Sequence, residues 1–333
     1  MPRTDVMKEK GLTLVDAINE ALYQEMERDE RVVLLGEDVG LNGGVFRVTD
    51  GLQKDFGEAR VIDTPLAESS ILGTAVGLAM RGYRPVVEIQ FDGFVYVAFD
   101  QIVSQLAKMH ARSSGQVRLP VTVRIPFGGG IGAVEHHSES PEAYFAHTAG
   151  LRVVSPSNPV DAYHLVRQSV ACNDPVIFLE PKRRYWDKAE VDLAAEPPLP
   201  MGSARVARPG RDVTLVSYGP LVRTCLEAAA AADADGVDIE VVDLRSLSPL
   251  DLDTVVDSVR RTGRCVVAHE ATVFVGIAAE VAASVTEECF FDLESPVLRV
   301  GGFHTPYPPS RLESHYLPDL DRILDAVDRS MAY

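Results

Sequence analysis

Residues 212–244, DVTLVSYGPLVRTCLEAAAAADADGVDIEVVDL, read as one strand–helix–strand unit. DVTLVSYG (212–219) and VDIEVVDL (237–244) are short, rich in Val and bounded by turn residues. The alanine-rich stretch 221–232 between them reads as a helix. A strand pair joined by a helix runs parallel, with a right-handed crossover and helices covering both faces of the sheet. RCVVAHE (264–270) and PVLRVGG (296–302) continue the strands, and 252–261 and 276–289 continue the helices. The fold class is therefore α/β with a largely parallel sheet.

The first half carries the same alternation. Thr13-Leu-Val-Asp16 resembles a capping box opening a helix to about Arg28. Strands are expected at 32–38, 84–91, 121–127, 151–155 and 175–180, and helices at 68–80, about 94–109 and 157–171. The proline-rich EPPLP (196–200) then interrupts the pattern. The expected division is a domain of residues 1–190, a linker of 191–200 and a domain of 201–333.

A net charge of −17 over 333 residues argues against nucleic acid and against an anionic membrane surface. It leaves small molecules or a basic protein surface as partners. Cys172, Cys225, Cys265 and Cys289 form no C-x-x-C pair, which suits reduced thiols. The opening MPRTDVMKEKG lacks the apolar core of a signal peptide, and no run of about 18 apolar residues suggests a membrane span. A cytoplasmic location is the expectation.

Two glycine-rich loops, GLNGG (40–44) and FGGGIG (127–132), come after strands, but neither carries the G-K-[ST] of a phosphate loop. Gly128, Gly130 and Ala133 match G-x-G-x-x-A. The next residues are Val-Glu-His-His-Ser-Glu-Ser-Pro rather than an apolar helix, so a dinucleotide site is disfavoured. These glycines are expected to turn tightly or to approach a ligand closely. No segment looks able to hold a diphosphate.

In DTPLAESSILGTAVGLAMRG (63–82), Thr64-Pro65 is expected to open a helix with Pro at its first position. With no second polar face, that helix is expected to be enclosed on all sides. Glu68 then has two readings. It complements the positive end of the helix dipole, or, once buried, it becomes a carboxyl that exchanges a proton with a basic ligand nitrogen. EIQFDGFVYVAFDQ (88–101) offers aromatic rings that either fill the core or present one flat face to a planar ligand. HHSESPEAYFAH (136–147) reads as a polar loop, or as the source of a histidine acid or base. Adjacent His136 and His137 with no nearby cysteine make zinc unattractive.

Over nearly its whole length the chain resembles the β subunit of the decarboxylating component of 2-oxo acid dehydrogenase complexes, especially the branched-chain type. The resemblance rests on VVLLGEDVG with GGVFRVTDGL, DTPLAESSILGTAVGLAMRG, EIQFDGFVYVAFDQI, HHSESPEAYFAHTAGLRVVSPS, DPVIFLEPKR, VVDLRSLSPLD, TGRCVVAHEA and TPYPP, in family order. It implies the thiamine-diphosphate fold, a pyrimidine-binding domain succeeded by a transketolase-type C-terminal domain. It also implies a two-α two-β assembly in which the α chain holds the diphosphate through Mg²⁺. This chain lacks the G-D-G motif used for that purpose, and FDG (91–93) is no substitute.

By resemblance, Glu68 contacts the aminopyrimidine ring, Gln90 and Phe94 line it, and His137 is the active-site histidine. Glu68 and His137 are thus the expected catalytic residues, and Glu68, Gln90 and Phe94 the cofactor-binding ones. The family often has H-S-Q where this chain has His137-Ser138-Glu139, and a glycine where Ser69 comes after Glu68. Some relatives hold K⁺ near the positions of Thr122 and residues 169–174, including Asp174. The implied chemistry is decarboxylation of a small 2-oxo acid and acyl transfer to a lipoyl group. 3-Methyl-2-oxobutanoate is the first expected substrate, pyruvate the second and acetoin the third. Two other classes compete. The chain could be a scaffold whose acidic residues from Glu313 to the C-terminus recruit a basic partner, as the family's C-terminal domain docks the acyltransferase's subunit-binding domain. It could instead be a stand-alone nicotinamide enzyme.

Overall fold

The computed structural model describes residues 11–333; the polar opening segment 1–10, and that part of the expected first domain, lie outside it. Thr13 caps the first helix, Leu14–Arg28, accepting from the Asp16 amide while Asp16 accepts from the Thr13 amide, the reciprocal box expected from the sequence.

Among the described residues, eight strands lie in the first half: β1 Leu12–Thr13, β2 Val32–Gly36, β3 Val61–Asp63, β4 Arg84–Glu88, β5 Thr122–Phe127, β6 Arg152–Val154, β7 Val176–Pro181 and β8 Lys188–Ala189. Six lie in the second: β9 Arg205–Arg208, β10 Val213–Ser217, β11 Ile239–Asp243, β12 Ser246–Ser248, β13 Cys265–Thr272 and β14 Leu298–Gly302. A seven-stranded sheet runs β12-β6-β7-β5-β4-β2-β3 and a five-stranded sheet β14-β13-β10-β11-β9, with β1 and β8 forming a separate pair. Within the two larger sheets every pairing is parallel except β12 with β6 and β9 with β11. The central strands β2, β5, β7, β10 and β11 are buried along their whole length, as both-face coverage requires.

The two halves are stitched together. β12 comes from the second half yet completes the first sheet. Beside it, the buried Arg245 donates to Asp161 at 2.8 Å and to the Ser203 carbonyl at 2.7 Å. Ser157 donates to Asp243 at 2.6 Å. The Arg245–Asp161 and Ser157–Asp243 contacts cross the junction and fix one relative orientation of the halves.

Three local expectations are corrected. The helix at 68–80 begins at Glu68, so Thr64 and Pro65 lie in the approach loop and not in the first turn. It is not enclosed on all sides: Glu68, Ile71, Leu72, Ala75 and Ala79 are buried, while Ser70, Thr74 and Met80 face outward. The expected helix at 94–109 is instead a 3-10 helix over Asp92–Ala98, a π-helical turn over Gln101–Leu106 and a short α-helix, Met109–Arg112. Phe94, Val95, Tyr96 and Val97 are poor helix formers. Gly93 also lies so close to His136 that an added Cβ would sit 2.5 Å from its carbonyl oxygen. Among the described residues no helix is long and apolar enough to cross a membrane.

Candidate active site

Strands β7, β5, β4 and β2 are consecutive neighbours. Their carboxyl ends deliver Lys182, the loop from Gly128, the segment from Ile89 and Glu37 to one edge, where open parallel sheets place their ligands. Glu68 joins them at the start of the helix after β3.

Glu68 is buried, 4% exposed. Glu37 is buried beside it. Burial first, then the charges of Glu68 and Asp38, raise the Glu37 carboxyl above its ordinary pKa. Its Oε1 is buried with no hydrogen-bond partner among the described residues. Two enclosed acids at one strand edge, one lacking a partner, make an arrangement suited to a basic ligand group.

The helix at 68–80 packs on the 3-10 helix that carries Phe94. Phe94 in turn meets the His137 ring edge-on, centroids 5.3 Å apart at 80°. Phe91 lies flatter against the same ring, at 4.0 Å and 34°. Gln90 is half-buried just beyond the end of β4. The imidazole of His137 is lowered below its usual pKa by desolvation, then by the charges of His136 and Lys182, which favours the neutral ring. Its Nδ1 is buried without a partner among the described residues. A neutral, half-buried imidazole with an unused nitrogen can take or give a proton.

Three further residues build this edge, two of them with nothing in their local sequence that singles them out as site residues. Asp92 accepts from the Glu139 amide at 2.7 Å and from the buried ammonium of Lys182. Lys182 also donates to the His137 carbonyl at 2.7 Å. Burial pushes the Asp92 carboxyl up to about 6, opposed by Lys182, so it stays ionised at neutral pH. The third is Glu37. Its one signal is an acid standing directly after the buried run VVLLG.

Beneath this edge, the fully buried Arg124 donates through Nε to Glu180 at 2.6 Å and through Nη1 to Glu88 at 2.7 Å. Glu139, the extra charge beside His137, accepts from the Tyr96 hydroxyl at 3.1 Å. Glu139 and Tyr96 both line a cleft of about 1550 Å³ between the two halves. Thr122 and Asp174 lie at the opposite edge, at the start of β5 and just before β7. There the Arg84 guanidinium already donates to the carbonyls of Val170 and Cys172, each at 3.0 Å, and Asp174 accepts from Arg152 at 2.9 Å.

The family model for the transketolase pyrimidine-binding domain matches residues 10–187, and that for the transketolase C-terminal domain matches residues 202–323. The chain is 60% identical to the pyruvate dehydrogenase E1 component subunit beta of Leifsonia xyli over 97% of this chain and 96% of that protein. It is 59% identical to the 3-methyl-2-oxobutanoate dehydrogenase subunit beta of Mycobacterium tuberculosis over 96% of this chain and 92% of that one. A split-gene transketolase described as an inactive beta4 tetramer shares the fold, with a TM-score of 0.74 at 24% identity over 97% of this chain and 99% of that one. With both transketolase domains present in order and such identity over almost its entire length, the chain belongs to the E1 β subunits of the 2-oxo acid dehydrogenases.

Proposed function

We propose that this chain, with an α subunit in a two-α two-β assembly, decarboxylates branched-chain 2-oxo acids and passes the acyl group to a lipoyl acceptor. The observation that carries the reading is the enclosed Glu68–Glu37 pair at the sheet edge that also gathers Phe94 and His137.

These residues fit the aminopyrimidine end of thiamine diphosphate: buried acids for its ring nitrogen and an aromatic wall for its flat face. Glu68, Gln90 and Phe94 would hold that end. The glycine loop after β5 offers no grip for the diphosphate, because the amides of Gly129, Gly130 and Gly132 are taken by Glu270 and Glu313. That grip, with Mg²⁺, is assigned to the α chain. When bound, the cofactor supplies an electron sink for the pair left as CO₂ departs. Glu68 would hold and exchange the proton at the pyrimidine ring nitrogen, with Glu37 limiting the negative charge beside it. His137 would move a proton through its imidazole during acyl transfer. A potassium ion near Thr122 and Asp174 would sit beside the guanidinium of Arg84, whose charge already serves the carbonyls of Val170 and Cys172.

Pyruvate is the second reading, favoured by the 60% identity to a pyruvate dehydrogenase β subunit. Docking of the acyltransferase's subunit-binding domain would use exposed Asp319, Asp321, Asp325 and Asp328; Glu313, counted with them in the sequence, is buried and faces inward. The test is CO₂ release by this chain with its α partner, thiamine diphosphate and Mg²⁺, across 3-methyl-2-oxobutanoate, other branched oxo acids and pyruvate. Near-normal release by Glu68→Ala would sink the assignment.

A further inference from the structure

The loop that carries His137 is held from two sides. Its neck closes where the Gly128 amide donates to the Glu139 carbonyl at 2.9 Å. One flank is tied within the first half of the chain, by Asp92 to the Glu139 amide and by Lys182 to the His137 carbonyl. The other flank is tied by the second half. The Gly129 amide donates to Glu270 Oε1, the Gly130 amide to Glu313 Oε1 at 3.0 Å, and the Gly132 amide to Glu313 Oε2 at 3.1 Å.

The glycines make this possible. Gly128, Gly130 and Gly132 have φ of +84°, +88° and +69°, in the left-handed region. Residues alternating into that region turn their amides to one side, forming a concavity that receives anions. In this chain the anions are two of its own carboxylates. Space is as tight as conformation: an added Cβ on Gly129 would lie 1.8 Å from the Tyr307 hydroxyl. That hydroxyl itself donates to Glu313 at 2.7 Å. Glu270 is further paired with Arg183 at 3.4 Å. Both carboxylates are buried, so their hydrogen bonds to the loop are not diluted by water.

We infer that Glu270 and Glu313 are positioning residues: a carboxylate latch through which the second domain sets the place of the His137 loop. The inference rests on the reading of His137 as a catalytic residue. It gives a use to VVAHE and to the glutamate after TPYPP, whose carboxylates bond to the loop that carries His137. It also ties the catalytic loop to the relative orientation of the two domains. Replacing Glu313 by Gln keeps its shape but leaves only one oxygen to accept from two amides, so the latch opens without a cavity being made.

The experiment uses the chain assembled with its α partner and compares wild type, Glu313→Gln and Glu270→Gln. Amide hydrogen exchange is measured across residues 128–139, together with thermal midpoint, kcat and KM for the 2-oxo acid. The latch predicts about tenfold faster exchange at 128–139, the factor that one charge-assisted hydrogen bond is worth. Peptides from β10 and β11 should keep their protection, and kcat should fall about tenfold with KM held within about twofold, a loss made only in the transition state. Unchanged protection at 128–139 overturns the inference. So does an increase spread evenly over the second domain, or full turnover with a loosened loop. A His137→Ala chain that turned over normally would instead overturn the catalytic reading, and the exchange comparison would still decide whether the latch exists.

Discussion

The ammonium of Lys182 donates to the carbonyl oxygen of His137 across 2.7 Å, and the same ammonium closes on the carboxylate of Asp92. Both charged groups are fully buried. One ion pair thus anchors the backbone of the histidine on one side and the segment after β4 on the other, linking residues 45 and 90 positions apart in sequence.

Lys182→Met should be strongly destabilising, because it strands the Asp92 carboxylate in the interior. A buried pair broken on one side loses about 3–5 kcal/mol. Adding Asp92→Asn to that variant should recover much of the stability, since no unpaired charge remains. Turnover should stay low, since nothing then holds the His137 carbonyl. Chemical denaturation of wild type, the two single variants and the double variant measures the stability effects. A Lys182→Met loss under about 1 kcal/mol would contradict the assignment of a buried, mutually dependent pair.

Glu142 supplies a pH dependence. Its carboxyl is fully buried, and desolvation pushes it up to about 7 in spite of a 2.5 Å hydrogen bond from the Tyr218 hydroxyl. An acid raised on folding contributes stability that is fully present below its unfolded value near 4.5 and lost as pH rises through about 7. Glu142→Gln keeps an acceptor for Tyr218 and removes the titration. Its stability relative to wild type should therefore rise by about 3 kcal/mol between about pH 4.5 and about pH 8. Parallel stability curves for the two chains over that range would refute the burial argument.

Much of this molecule is legible from pattern alone. Runs such as DVTLVSYG and PVIFLE have the Val-rich, turn-bounded character of strands buried on both faces, and Thr13 with Asp16 announces its own helix. Glu68, Phe94 and His137 could be named because long family motifs surround them, and the structure gathers them at one sheet edge. What escaped depends on partners far away in sequence. Glu313 reads as one more acid in an acidic terminus, yet it faces Gly130 and Gly132, 183 and 181 positions earlier. Ser246–Ser248 carries no strand signal, and becomes one only by adding to the edge of β6. The glycines at 128–132 do mark an anion-binding turn, but nothing local reveals that the anion comes from the chain itself.

Gly150 tests a different constraint. Its φ is +102°, and an added Cβ would lie 2.0 Å from the Ala107 carbonyl oxygen. Backbone stands in the way, so no side-chain rotation relieves the clash. Gly150→Ala combines left-handed strain with overpacking and should lose about 3 kcal/mol or more. Gly82, also at positive φ but with nothing near its would-be Cβ, is the control. Gly82→Ala should lose about 1 kcal/mol, from strain alone. Equal losses in the two denaturation midpoints would remove the steric part of this account.

The guanidinium of Arg124 forks onto Glu180 at 2.6 and 3.0 Å and reaches Glu88 at 2.7 Å with its remaining nitrogen. Burial works against its charge, but Glu180 and Glu88 outweigh burial and hold it protonated. A lysine keeps the charge and loses the planar fork, so it cannot serve both carboxylates in the same geometry. Arg124→Lys should therefore destabilise by about 2–3 kcal/mol, the worth of a hydrogen bond to a charged group. Tyr185→Phe removes only the 2.6 Å hydroxyl bond to Glu180 and should lose less, since Arg124 still satisfies that carboxylate. Glu88 ends β4, close before Gln90 in the chain. A shift of its carboxylate should therefore reach Gln90, proposed above to line the cofactor ring, and Arg124→Lys should then raise the concentration of thiamine diphosphate needed for half-maximal activity. If that concentration is unchanged while stability falls, the network supports the sheet alone and does not shape the cofactor edge.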